Sequence, residues 1–251
     1  MEYAGFLLAF VVVPTVAVLS SRSVRRSIGA RRALVGVALM VGAALSYTIP
    51  WDNYLISQGV WWYGDGVLFR IGYAPIEEYA FIALQPLLTA AWLYRADLDA
   101  VTQSNPTTAR ALGAVACLAV AGGGWALLAV EGGYYMGAIL AWAAPVLALQ
   151  WAVGGGVLWT ERRLLAVAVG VPTLYLCVAD RLAIGRGIWT ISPDHTTGIL
   201  IGGLPVEEAT FFLVTNLMLV QGLVLFHWLS ERWNLLAATE RSTDRGVETP
   251  G

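Results

Sequence analysis

Apolar runs close to the length of a bilayer crossing fill most of this chain, and no other feature restricts its fold as tightly. A hydrocarbon core about 30 Å thick takes roughly 20 mostly apolar residues per helix. Seven segments meet or approach that length, at about 3–20, 32–50, 76–94, 110–130, 136–158, 163–182 and 205–229. Composition points the same way. Of the 251 residues 58% are hydrophobic and 13% charged, against about 25% charged in a typical soluble domain. So few charges cannot cover a water-facing surface. The expected fold class is an all-α polytopic membrane protein with seven transmembrane helices.

The first apolar run follows the leader "MEY", which carries an acid and no base, and its arginines come after it. A retained first span fits that order better than a signal peptide does. All fifteen basic side chains are arginine. Twelve fall in the first, third and fifth connections and the tail, and three (Arg70, Arg181, Arg186) on the opposite side. The positive-inside rule then predicts a multi-pass cell-membrane protein with its N-terminus outside and its C-terminus cytoplasmic. Residues 1–234 form one membrane domain in this reading, and 235–251 a flexible polar tail.

The chain also resembles itself. Asp52 and Asp180, Gly59 and Gly187, and Trp61 and Trp189 are each 128 apart. Pro75 and Pro205, the pairs Glu77–Glu78 and Glu207–Glu208, and Phe81 and Phe211 are each 130 apart. Pro14 and Pro145 are 131 apart. This pattern predicts two three-helix repeats, at about 3–94 and 136–229, joined by a linker helix at about 110–130. An offset of four spans makes the repeats parallel, so both glutamate pairs lie on the outer side. Repeats that meet often build a site between them. The second and sixth connections, "GVWWYGDGVLFRIGYAP" and "GIWTISPDHTTGILIGGLP", each place aromatic or β-branched runs around Gly, Asp or Pro turns. Each is a candidate short hairpin capping its half.

"PIEE" and "PVEE" open the third and seventh spans. Proline suits the first helical position, which puts Glu77 and Glu207 third and Glu78 and Glu208 fourth. A glutamate there can do no more than tie down free N–H groups. That explains one acid of each pair. The second is costly beside hydrocarbon, and ionisable groups in such places are usually functional. Neighbouring helical residues point about 100° apart, so one can cap while Glu78 and Glu208 face the bundle interior. If these two meet, desolvation and like-charge repulsion favour a carboxylic acid beside a carboxylate, an acid and a base in one site. Asp52 and Asp180 are candidate hydrogen-bond partners. Trp61 and Trp189, with Trp62, Tyr63 and Tyr73, form either an interfacial aromatic belt or π-faces that steady a cation.

Other chemistries lack their residues. No Gly-rich turn follows a strand; the runs Gly122–Gly124 and Gly154–Gly156 lie in apolar spans and read as packing sites, so no nucleotide or flavin fold is expected. No Asp-rich motif would hold magnesium and a diphosphate. His195 and His227 belong to no metal-ligand cluster, and Cys117 and Cys177 read as small buried hydrophobes. The near-zero net charge gives a nucleic-acid partner no support. Seven spans fit a microbial rhodopsin, but a retinal Schiff base needs a lysine and the chain has none.

With Pro-x-Glu-Glu in both repeats and Asp52/Trp61 in step with Asp180/Trp189, the chain resembles the membrane-embedded lycopene β-cyclases over about residues 3–230. Archaeal members resemble a fusion of two short bacterial subunits; in fungi the domain is joined to phytoene synthase. The resemblance implies a cofactor-free, redox-neutral conversion of lycopene through γ-carotene to β-carotene, with lipid-dissolved substrates and no metal. It implies catalytic Glu78, Glu208, Glu77 and Glu207, with Trp61, Trp189, Phe81 and Phe211 as cation-tolerant walls. Ring type, carotenoid length, oligomeric state and the identity of the acid stay open. A transporter with duplicated halves, or a cyclase or hydratase of another carotenoid, are the alternative expectations.

Overall fold

In a computed structural model, residues 2–96, 98 and 104–247 are described, with side chains to residue 233. Helix α1 is Tyr3–Leu19, followed after a 91° bend by the short basic helix α2, Arg22–Ile28. The long helices are α3 (Arg31–Ser57), α4 (Ile76–Leu93), α5 (Thr107–Leu127), α6 (Tyr134–Thr160), α7 (Arg162–Gly185) and α8 (Val206–Val247). Five helices are long and apolar enough to cross a membrane, or six if α1 and α2 form one broken span. The expected third span, α4, falls short because its 18 residues include Glu77, Glu78, Gln85 and Pro86. The backbone of α8 stays helical to Val247, through most of the segment that reads as a polar tail. No proline, and no glycine before Gly246, interrupts it there.

Helix α8 is the centre of the bundle. It packs on α3, α4, α6 and α7, while α5 packs on α6 alone among the long helices. The α5–α6 approach rests on small residues. A Cβ on Gly124 would lie 2.6 Å from the Ala141 nitrogen, so only glycine admits that contact. Gly122 and Gly123 face open space instead, so only part of that run is a packing site.

Helix α1 carries a π-helical turn at Leu8–Val12, just before Pro14. Proline removes a donor and crowds the carbonyl four residues back. That carbonyl, Phe10 O, accepts the Tyr175 hydroxyl at 2.9 Å, and Thr15 Oγ1 bonds Val11 O. Both are remedies typical of prolines in apolar helices.

One end of the bundle is covered by short strands: β1 (Trp61–Tyr63), β2 (Arg70–Ile71), β3 (Ala74–Pro75), β4 (Trp189–Ile191), β5 (Leu200–Ile201) and β6 (Leu204–Pro205). The expected hairpins exist in a different register. β2 pairs with β3, and β5 with β6, around Gly72 and Gly202–Gly203 at positive φ. The aromatic strands β1 and β4 pair with each other instead, antiparallel, Tyr63 opposite Trp189. Pro75 belongs to β3 and caps α4 with extended backbone, so Glu77 and Glu78 are the second and third helical residues, one earlier than expected. Ile76 N–H bonds Phe69 O, and Val206 N–H bonds Ile199 O, in the same way.

Candidate active site

Beneath the strand cover lies a cavity of about 50 Å³. Asp52, Glu78, Asp180 and Glu208 all line it, with Trp61, Trp189, Phe81 and Phe211. Eight of the ten site residues expected from the sequence therefore come together around one space. Each carboxyl arrives by a simple route. Asp52 and Asp180 lie in the next-to-last turns of α3 and α7, five residues before the helix ends that point here. Glu78 and Glu208 open α4 and α8, which leave it. Asp52 is 3% exposed, Asp180 2% and Glu208 6%.

Glu77 and Glu207 line no part of this cavity. Their buried Oε1 atoms hold the connections down: Glu77 accepts Leu68 N–H at 2.8 Å, and Glu207 accepts Thr197 N–H at 2.8 Å and the Thr197 hydroxyl at 2.7 Å. They anchor residues nine and ten positions upstream, where the sequence suggests capping of their own helices.

The inward glutamates have different partners. Glu78 Oε2 accepts two phenols, Tyr3 at 2.6 Å and Tyr63 at 2.7 Å. Trp61 Nε1–H in turn donates to the Tyr63 oxygen at 3.1 Å. Burial, reinforced by the nearby Glu78 charge, holds the Tyr63 hydroxyl well above the usual tyrosine range, so it stays a donor. Tyr135 and Asp180 line the cavity beside Glu208. Trp189 Nε1–H donates to Asp180 Oδ1 at 2.8 Å across the nine-residue Asp–Trp spacing, whereas the matching Trp61 donates to Tyr63 and not to Asp52. Asp180 Oδ2 and Glu208 Oε1 are buried without a hydrogen-bond partner. Two carboxyl groups facing one small cavity can bond each other only through a proton held between them.

The walls are aromatic. Tyr3 stacks on Tyr63 with centroids 5.7 Å apart and meets Trp189 edge-on at 5.1 Å. Trp51 stacks on Trp142 at 4.6 Å and on Phe211 at 6.0 Å. Trp62 and Tyr73 stay exposed outside the cavity. His195 bonds Ser192, and the buried His227 bonds the Tyr94 hydroxyl far from the acids. No cluster of three metal-capable side chains occurs among the described residues.

Tyr3, Tyr135 and Trp51 are the site residues that sequence reasoning missed. Tyr63 reads from the sequence as a π-face, whereas its hydroxyl is what reaches Glu78.

A family model described as lycopene cyclase matches residues 3–95 and 133–229. A lycopene beta-cyclase of Halobacterium salinarum strain R1 is 51% identical over 234 residues, 92% of this chain and 98% of that protein. The bifunctional lycopene cyclase/phytoene synthase of Phaeosphaeria nodorum is 37% identical over 210 residues, 76% of this chain and 35% of that protein. Its counterpart in Leptosphaeria maculans is 36% identical over 219 residues, 76% of this chain and 36% of that protein. No solved structure matches.

Proposed function

The chain belongs to the lycopene cyclase family, and from that membership we propose that it is a lycopene β-cyclase acting on both ends of lycopene in turn. The observation that carries the reading is the meeting of Glu78 and Glu208 in one aromatic-walled cavity. The Glu208–Asp180 pair is the proton donor. Its shared proton adds to the terminal double bond of an acyclic end and leaves a tertiary cation. The π-electrons of the neighbouring double bond close the six-membered ring, which moves the charge into the ring. Glu78 removes a ring proton, and that electron pair becomes the ring double bond. One proton enters and one leaves, so the step is redox-neutral.

The assignment follows from the hydrogen bonds. An oxygen that accepts two phenols, as Glu78 Oε2 does, suits a carboxylate. The cation has π-faces nearby in Phe81, Phe211 and Trp51. Trp61 and Trp189 contribute their N–H groups as well, fixing Tyr63 and Asp180. Excluding water matters as much as supplying the acid, because a carbocation in a wet site is captured as an alcohol.

The same reading includes seven spans in two parallel three-helix units, with α5 as linker and the N-terminus outside. Three features support it. The family model matches two stretches that leave α5 out. The glutamate anchors recur at Glu77 and Glu207. The β2–β3 and β5–β6 registers are the same, Arg70 opposite Pro75 and Leu200 opposite Pro205. Arginine asymmetry supports the orientation.

Expression in cells that accumulate lycopene, followed by pigment analysis, tests the proposal. γ-Carotene and β-carotene should replace lycopene; unchanged lycopene would sink it.

A further inference from the structure

A second cavity, of about 350 Å³, adjoins the acid chamber and has no part in the proton chemistry. It lies between α3 and α6 over a floor formed by α4 and α8. Helix α3 packs on α4 and α8, and α6 on α5, α7 and α8, which leaves a cleft where α3 and α6 face each other. Its rim on α3 is Ala43, Ser46 and Tyr47, all exposed, so the cleft opens sideways on the apolar flank of the bundle. The same face of α3 exposes Val35 and Leu39. One contact bridges the mouth: the Tyr47 hydroxyl bonds Trp142 O at 2.9 Å, with the two rings stacked 5.4 Å apart.

Phe81 and Phe211 line both this cleft and the acid chamber, and so form the partition between them. The chamber itself has room for only a few waters. The opposite exit, toward the strand cover, is closed by the β1–β4 pairing, continued by Gly64 N–H to Ile188 O and Ser192 N–H to Val60 O.

We propose that the cleft between α3 and α6 binds the linear hydrocarbon body of the polyene and is its lateral route from lipid to the acids, with Phe81 and Phe211 as the collar its end must pass. The proposal rests on the cyclase reading and deepens it. A site for a polar solute would carry convergent charges, and this one is lined mainly by Ala, Met, Leu, Ile and aromatic side chains. Its volume is at the low end of the roughly 300–1,000 Å³ typical of ligand pockets, so it holds one segment of a long chain and leaves the remainder in the lipid. Only one end then reaches the chamber at a time. After the first ring closes, the product must withdraw through the same mouth and return reversed.

The test blocks the cleft after folding. In a parent carrying Cys117→Ala and Cys177→Ala, Ala43→Cys is purified into lipid vesicles and treated with a bulky apolar maleimide. Leu174→Cys, on the exposed face of α7 away from both cavities, is the control. Each labelled sample is compared with its own unlabelled half for conversion of lycopene. Remote binding energy is spent at the reacting centre, so labelling at position 43 should slow conversion about tenfold or more. Labelling at position 174 should leave it unchanged. Equal rates for both labelled proteins would overturn the cleft proposal and leave the cyclase reading intact. If the unsubstituted protein, assayed alongside, leaves lycopene untouched, the cyclase reading itself fails.

Discussion

Replacing either inward glutamate by its amide separates one reaction chamber from two. Glu208→Gln and Glu78→Gln keep side-chain volume and hydrogen-bonding reach, so the packing around the cavity is retained. An amide at position 208 keeps a donor and an acceptor toward Asp180 and Tyr135, which line the same cavity. What is lost is a transferable proton in the first variant and its acceptor in the second. General acid or base catalysis typically contributes about 10²–10⁴-fold, equal to roughly 2.7–5.4 kcal/mol of barrier at about 1.36 kcal/mol per tenfold. Both acids line one cavity, so each substitution slows the first and second cyclisations alike. The assay is pigment composition over time in lycopene-loaded vesicles, with thermal stability in detergent as the folding control. Lycopene should persist in both variants, with little γ-carotene. If γ-carotene accumulates while lycopene is consumed at the normal rate, one cyclisation is untouched, and the one-chamber argument is wrong.

Glu77→Ala and Glu207→Ala should act on stability, since each removes the acceptor of a part-buried connection N–H. About 0.5–1.5 kcal/mol is expected from one such hydrogen bond, read as a lower detergent melting temperature with cyclisation retained at low temperature. Tyr63→Phe removes one of the two donors to Glu78 and the acceptor of Trp61 Nε1. A hydrogen bond to a charged group contributes about 1.5–3 kcal/mol, so turnover should fall by about one to two orders of magnitude with substrate affinity unchanged; an unaltered rate would remove Glu78 from the chemistry. Asn216→Ala should be the most destabilising of this set. Its Oδ1 accepts both Gln85 and Thr89 at 2.8 and 2.7 Å, and its Nδ2 donates to Thr173 at 3.0 Å, tying α4, α7 and α8 together in the buried interior. Loss of folded protein from the membrane fraction is the readout.

The sequence exposes what depends on spacing. Glu78 and Glu208 announce themselves because two acids at equal offsets on apolar helices are improbable by accident, and Asp52 and Asp180 follow from the same arithmetic. The phenols stay hidden for the opposite reason. Tyr63 has Ile191 at the matching offset, so nothing marks it. The tryptophans are visible, but the use of their N–H groups depends on ring orientation, which no spacing encodes. Strand pairing escapes for a related cause. "WWY" and "WTI" look like the first arms of local hairpins, yet each finds its partner 128 residues away, once the two connections share one end of the bundle. The shortfall of α4 as an apolar span is equally physical: its first turn is given over to the acids, and Gln85 to the buried network with Asn216.

The π turn in α1 has a consequence for the phase of the site. Tyr3 bonds Glu78 and Tyr135 lines the same cavity as Glu208, yet the two tyrosines are 132 residues apart, whereas Pro14 and Pro145 are 131 apart. The odd residue falls within the stretch that holds Leu8–Val12, where the wider turn takes up one extra position. In a regular α-helix that extra residue would rotate everything before it by about 100°. The widened turn absorbs the excess and keeps Tyr3 facing Glu78. Deleting a single residue from Leu8–Val12 should therefore be tolerated: the turn closes to regular α geometry at the ten-residue spacing that separates Tyr135 from Pro145, and Tyr3 still faces Glu78.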